Sequence, residues 1–173
     1  MRDNWYALFA PNNTEEKIKR QIDGNFSDEL DSYIYRRLLN ERRNGKYEKV
    51  ERKLFPGYII LRGNIDKELY SRMREAIKPL NILRNGEDIL TIKDDELRII
   101  ERLTKNSRDL IEISSIYKEN DKIKVLDGPL VGLEGRITSL NPRKGRAKVK
   151  LNFIGEERIV ELGIEVVDKI QTK

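Results

Sequence analysis

The amino-acid sequence predicts an α+β protein, in which an antiparallel sheet with helices packed on one face is joined by a linker to a small C-terminal β-barrel. Residues 1–104 contain strand and helix patterns in the order β-α-β-β-α-β-α, which favours the first part of that architecture. From residue 116 onward, short strand patterns alternate with Gly and Pro turns, as in small barrels. Residues 105–115 have no sustained apolar period, so we predict domains at 1–104 and 116–173 with this segment as the linker.

The first strand and the first helix are indicated by a short apolar run and a capping pattern. The apolar run is Trp5–Phe9, and the Pro-Asn-Asn sequence at 11–13 ends it. Asn13 precedes Glu16 by three residues, as in a capping box, so we expect a helix to begin there. Gly24 is the expected end of this helix. Its apolar face holds Ile18 and Ile22.

A hydrophilic segment between Ser32 and Lys53 contains eight Lys or Arg residues against three Glu residues. We predict a basic hairpin or loop that projects from the sheet. Because the acids are interleaved with the cations, a solvated hairpin without a partner is the alternative. The Leu-Phe-Pro-Gly-Tyr sequence at 54–58 then leads into a strand at Tyr58–Leu61.

Two further helices and one strand are predicted before the linker. Asp66 is placed to cap a helix that Pro79 ends, and Asp94 or Asp95 is placed to cap a later helix. A strand is expected near Leu80–Leu83. The apolar faces of the two helices hold Leu69, Met73 and Ile77, and Leu97, Ile100 and Leu103.

The composition leaves little for catalysis. The chain has 173 residues with no Cys and no His, which removes thiolate chemistry, the commonest general base near neutral pH and the commonest zinc ligands. The acidic residues between Glu87 and Glu96 lack the spacing of a calcium loop and suit a helix N-terminus. We therefore predict no enzyme activity, no catalytic residue, no metal site and no cofactor. No apolar run approaches the roughly 18 residues of a membrane span, so the expected location is the cytoplasm.

A basic face is predicted in the C-terminal domain, where Arg146–Leu151 alternates cations with apolar residues. In a strand, this period of two places every cation on one face. No acid occurs between Arg136 and Lys150, although the net charge of the whole chain is only +5. Such a footprint favours phosphate contacts with a structured RNA hairpin, and a plain solvated surface is the alternative. The predicted RNA-binding residues are Arg136, Arg143, Lys144, Arg146, Lys148 and Lys150.

Four motifs, taken in order, resemble the NusG family of transcription elongation factors. They are WYALF near the N-terminus, RKLFPGYIIL at Arg52–Leu61, VLDGPLVGLEGRI at Val125–Ile137 and KVKLNFIGEERIVEL at Lys148–Leu162. The first two lie where that family has its N-terminal domain, and the last two resemble its C-terminal KOW domain. The resemblance covers nearly the whole chain.

The resemblance implies that the N-terminal domain binds the clamp helices of the largest RNA polymerase subunit. Aromatic residues are the types that dominate protein interfaces, whereas burial in the core is the alternative for Phe55 and Tyr58 and the expectation for Trp5. For the basic hairpin, the resemblance implies upstream or non-template DNA as a further partner. The matching polymerase-binding positions are Tyr6, Phe55, Pro56, Gly57 and Tyr58.

The C-terminal part departs from the general factor of this family because Asn141–Lys150 is more basic. It looks closer to the specialised LoaP paralogues, which are processive antitermination factors for long bacterial operons and act with an RNA element in the leader. This resemblance implies a monomeric elongation regulator whose KOW domain recognises a structured leader RNA. Two alternatives remain. One is a general NusG-type factor that couples polymerase to Rho or the ribosome, and the other is a stand-alone RNA-binding or ribosome-associated KOW protein.

Overall fold

The computed structural model describes residues 3–11, 13–105 and 107–167, and it has the predicted α+β class. These residues form two compact units. The first unit holds the described residues up to Tyr35 together with Phe55–Asp94, and the second holds Arg36–Leu54 together with the described residues from Asp95 onward. None of the helices in the described ranges has the length and apolar character needed to cross a membrane.

The helices and strands are named here in chain order. The helices are α1 (Glu15–Phe26), α2 (Lys67–Ala76) and α3 (Asp94–Leu103). The strands before α3 are β1 (Asn4–Phe9), β2 (Leu30–Tyr33), β3 (Arg36–Arg43), β4 (Lys46–Lys53), β5 (Tyr58–Gly63), β6 (Asn81–Ile82), β7 (Arg84–Asn85) and β8 (Asp88–Ile89). The strands after α3 are β9 (Leu110–Ile111), β10 (Ser114–Glu119), β11 (Lys122–Asp127), β12 (Ile137–Asn141), β13 (Arg146–Phe153) and β14 (Glu156–Val166).

The first unit is built on a four-stranded antiparallel sheet in the order β2-β5-β1-β6. Apolar residues of β1 and β5 form one core with the apolar faces of α1 and α2, as the sequence predicts. Asp66 caps α2 as expected, because its Oδ1 accepts a hydrogen bond from the Leu69 amide at 2.8 Å. The apolar residues predicted for α2 and α3 are all buried.

The first helix differs from its prediction at both ends. It begins at Glu15, after a Thr14 that makes no side-chain cap, and it continues past Gly24 to Phe26. Asn13 adopts a φ of 59°, so it lies outside the helix. The helix continues because Phe26 extends the apolar stripe and is buried in the core, and this burial outweighs the roughly 1 kcal/mol cost of an internal glycine.

The basic segment predicted as a hairpin or loop is a hairpin, formed by β3 and β4. Its turn contains Asn44 and Gly45 with φ values of 51° and 78°, the conformation of a tight two-residue hairpin turn in which both residues have positive φ. Along its other edge, β3 pairs in parallel with β9. The segment predicted as a linker therefore contains a short strand, with Ile111 buried.

The second unit also contains a five-stranded sheet in the order β11-β10-β14-β13-β12. Strand β13 lies inside this sheet, and its exposure alternates along its length. The inward side chains form part of the core of this unit and are Ala147, Val149, Leu151 and Phe153. This alternation matches the prediction and directs the intervening lysines to solvent.

The capping hydrogen bond of α2 is open to a direct test. Asp66→Ala should lower the free energy of unfolding by about 1 kcal/mol, because the Leu69 amide loses its acceptor. Asp66→Asn keeps an acceptor oxygen and should stay near the wild type. Urea unfolding followed by circular dichroism measures both, and an Asp66→Ala variant as stable as the wild type would contradict the cap.

Candidate functional site

Arg143 and Lys144 belong to the exposed part of the predicted basic face and lie in the turn between β12 and β13. We call this turn, residues 141–145, the basic turn. The turn is held by a hydrogen bond from the Lys144 amide to Asn141 Oδ1 at 3.1 Å. Within the part of the chain that the structure describes, neither cation forms an ion pair. Both charges therefore project into solvent and are available to an anionic partner.

Lys148 and Lys150 also point outward from β13, but acids from the next strand share their face. Lys148 lies directly opposite Glu161 of β14, and Lys150 Nζ is 3.7 Å from Glu157 Oε1. The sequence between Arg136 and Lys150 predicts a basic face without acids. This prediction is wrong for the folded sheet. The reason is strand pairing, which brings residues 157 and 161 beside lysines that precede them in the chain.

Arg146 differs from the other predicted RNA-binding residues because its side chain is only 14% exposed. Its Nη1 donates to the backbone oxygen of Asn40 in β3 at 2.9 Å and to that of Lys144 at 3.3 Å. Arg136 is half-buried, and its Nη1 donates to the Lys150 backbone oxygen at 3.4 Å. Arg146 therefore holds the basic turn against the β3–β4 hairpin.

A groove lies between that turn and the hairpin, with a volume of about 400 Å³. Its single lining acid, Glu41, accepts two hydrogen bonds from Arg52, at 2.8 and 2.7 Å. The hydrogen bonds from Arg52 hold the pKa of the Glu41 carboxyl below its usual value, while partial desolvation opposes this shift. The two basic segments that the sequence presents separately thus meet on one surface. The lining residues are Asn40, Glu41, Arg42, Tyr47, Arg143, Lys144 and Arg146.

The predicted polymerase-binding residues lie in the first unit, at the turn before β5. The Phe55 backbone oxygen accepts a hydrogen bond from the Tyr58 amide at 3.1 Å, and Gly57 has a φ of 88°. Pro at the second position and a positive-φ Gly at the third are the signature of a type II turn. The Phe-Pro-Gly-Tyr sequence therefore accounts for this turn.

Only part of that set reaches the surface. Tyr6 and Phe55 are buried, and the Tyr6 hydroxyl accepts a hydrogen bond from the Ile65 amide. Pro56 is exposed and Tyr58 is half-buried. Any direct contact in this region would therefore fall to the exposed residues.

Phe9 adds to this surface and was missed in the sequence, where it reads as the end of a buried strand. It is 41% exposed, and its ring packs edge-on against Tyr58 with centroids 5.8 Å apart. We call Phe9, Pro56 and Tyr58 the aromatic patch. Trp5, expected in the core, is only half-buried. Its ring centroid lies 5.4 Å from that of Tyr33 and 5.4 Å from Arg62 Cζ.

An antiparallel sheet with helices, followed by a β-rich part with a basic turn, defines an architecture found among transcription factors of one family. The chain matches the family model described as "Transcription termination factor nusG" over residues 3–101, more than half of its length. The chain therefore belongs to the NusG family.

Curated relatives support this assignment over nearly the full length of the chain. Proteins called "Transcription termination/antitermination protein NusG" are 26% identical in Thermus thermophilus and 25% identical in Bacillus subtilis, each alignment covering 98% of this chain and 100% of the relative. The solved structure described as "Domain interaction in Thermotoga maritima NusG" aligns with a TM-score of 0.54 at 24% identity, covering 94% of both chains. That structural likeness shows the fold.

The different roles of Arg146 and Arg143 can be separated by their stability effects. Arg146→Ala should lower the free energy of unfolding by about 2 kcal/mol, because it removes a charged donor from the Asn40 carbonyl. Arg143→Ala is the matched control and should stay within about 0.5 kcal/mol of the wild type, because its side chain is exposed. Thermal or urea unfolding measures both, and equal effects would show that Arg146 is not a structural residue.

Proposed function

We propose that this protein is a bacterial transcription elongation regulator that binds RNA polymerase and promotes processive antitermination. In this proposal, the second unit recognises a structured RNA in the leader of the controlled operon. The observation that carries the RNA-binding part is the turn at 141–145, which presents Arg143 and Lys144 to solvent with no ion pair among the described residues. Membership of the NusG family carries the transcriptional part.

Binding to RNA is supported by the kind of surface around that turn. Exposed cations that neutralise phosphates give affinity that is independent of sequence and strongly dependent on salt. RNA helices are recognised mostly by shape and backbone, because their deep groove is closed to side chains. Lys148 and Lys150 extend the positive charge along β13, although Glu161 and Glu157 reduce it there.

Binding to RNA polymerase is proposed for the aromatic patch. All three residues of the patch lie within residues 3–101, the region that matches the NusG family model. Interface hot spots are enriched in aromatic side chains that bury a large area on binding, and Phe9 and Tyr58 are already packed against each other. In this proposal, the clamp helices of the largest subunit are the partner.

A second candidate function is that of a general elongation factor, which couples polymerase to Rho or the ribosome. One observation favours it: the relatives that align over 98% of the chain are called termination/antitermination proteins. The LoaP-like function requires a specific leader RNA, whereas the general function does not.

These two functions can be separated in cells and in a purified system. Native polymerase captured through the tagged protein, followed by sequencing of crosslinked RNA, should recover one leader or a few if the LoaP-like function is right. Deletion of that leader from a terminator template should then abolish the antitermination. Readthrough that survives the deletion would favour the general factor.

Truncation of the aromatic patch should weaken polymerase binding without unfolding the protein. Phe9→Ala should lower the affinity roughly 30-fold, the consequence of losing about 2 kcal/mol at an interface hot spot. Leu126→Ala is the matched control, because Leu126 is also 41% exposed but lies in the second unit. Binding of native polymerase measured by biolayer interferometry decides between them, and unchanged affinity of a folded Phe9→Ala variant would exclude the patch as the contact.

Charge reversal at the basic turn should remove RNA binding and spare polymerase binding. In the double variant Arg143→Glu with Lys144→Glu, we expect leader-dependent antitermination to be lost. If the wild type engages about four phosphates, log K should fall against log salt with a slope of about −3 to −4, and each lost contact should flatten the slope by about one unit.

The matched control reverses one Arg and one Lys elsewhere in the same unit, as Arg98→Glu with Lys105→Glu. Both of these side chains are exposed, and the change in net charge is identical. The control should retain RNA binding. Equal loss in both double variants would mean that only total charge matters, and retention in both would leave the turn as a solvated surface.

A further inference from the structure

We propose that the groove between the β3–β4 hairpin and the basic turn holds an unstacked nucleotide of the bound RNA. In this site, the ring of Tyr47 stacks on the base, while Arg42, Arg143 and Lys144 bind the flanking phosphates. The inference rests on the proposed RNA binding and extends it. It assigns a site for a single nucleotide beside the surface that contacts the phosphates of the stem.

Tyr47 is the observation that points to a base. Its side chain is 63% exposed on β4, directly opposite Arg42 of β3. Directly opposed residues in an antiparallel pair share one face of the hairpin, so the ring and the guanidinium lie side by side. An exposed aromatic ring among cations has the composition of surfaces that bind unstacked bases, where every base can offer a π-face.

The hairpin holds this ring in a defined place. The Asn44-Gly45 turn, with both residues at positive φ, fixes the register of β3 and β4 two residues from Tyr47. The hydrogen bond of 2.9 Å from Arg146 Nη1 to the Asn40 backbone oxygen ties the hairpin to the turn that carries Arg143 and Lys144. The two walls of the groove are therefore linked by a contact that is largely protected from solvent.

The charge and size of the groove fit a nucleotide. Of its lining cations, Arg42, Arg143 and Lys144 form no ion pair within the described residues. The one carboxylate, Glu41, is held by the two hydrogen bonds from Arg52. A volume of about 400 Å³ lies within the range of small-ligand sites.

RNA with an unpaired loop fits this site better than a duplex alone, because sequence-specific RNA proteins usually take unpaired bases from loops and bulges. A leader hairpin offers both parts: a stem for the exposed lysines of β13 and an unpaired loop for Tyr47. The sequence alone conceals this arrangement, because Tyr47 and Arg143 lie far apart in the chain.

The test compares two RNA probes with the full-length protein by fluorescence anisotropy. One probe is a stem closed by a short uridine loop, and the other is a blunt duplex that contains the same stem sequence and is extended by base pairs until the number of phosphates is the same. Tyr47→Ala should weaken binding of the stem-loop about five-fold or more, the effect of removing one stacking aromatic, and should leave duplex binding unchanged. Tyr47→Phe should retain the preference for the stem-loop, because the ring is kept.

Tyr117→Ala is the matched control, since this tyrosine also lies beside a cation, Lys124, at 5.9 Å, but on strand β10. It should not change the preference for the stem-loop. If Tyr47→Ala binds the stem-loop as the wild type does, while the Arg143→Glu and Lys144→Glu double variant loses both probes, the nucleotide site is excluded and the proposed RNA binding stands. If the wild type binds neither probe, the proposed RNA binding itself fails. If a uracil-containing DNA strand with the loop sequence binds as tightly as the stem-loop RNA, and Tyr47→Ala weakens its binding to the same extent, RNA is excluded as the specific ligand.

Discussion

The alternation of side chains along β13 is the constraint on which the second unit depends. The strand lies between β14 and β12, so its apolar positions must enter the core and its lysines must leave it. Its four inward side chains are each at most 1% exposed, and they are Ala147, Val149, Leu151 and Phe153. A register slip of one residue would bury Lys148 and Lys150 and expose the core, which makes the basic face a consequence of folding.

Arg146 connects this strand to the rest of the proposed site. It is the first residue of β13, where the alternation would place a cation at the edge of the basic face. Its side chain instead donates a hydrogen bond to the Asn40 backbone oxygen, and its Nε lies 3.9 Å from Glu161 Oε2. A charge that the sequence predicts for RNA contact thus positions the neighbouring turn, and Arg143 and Lys144 remain available beside the hairpin.

Local patterns predicted much of this structure, and long-range pairings account for what they missed. The Asp66 cap, the Phe-Pro-Gly-Tyr turn and the strand alternation each depend on residues within a few positions of one another, so they could be recognised in the sequence. The acids that share the face of Lys148, the strand at Leu110–Ile111 and the contact of Arg146 with Asn40 depend on segments far apart in the chain. Tyr47 was missed for the same reason, because a single tyrosine in a charged hairpin has meaning only beside its spatial neighbours.

The most direct test of the proposed site is to map where RNA contacts the protein in a transcribing complex. Nascent leader RNA carrying thiouridine is crosslinked to the protein in an elongation complex halted downstream of the leader, and the modified peptides are identified by mass spectrometry. We expect adducts at Tyr47 and within Asn141–Lys150, on the two walls of the groove. Adducts confined to the first unit, with none in the hairpin or the basic turn, would contradict the proposed RNA site.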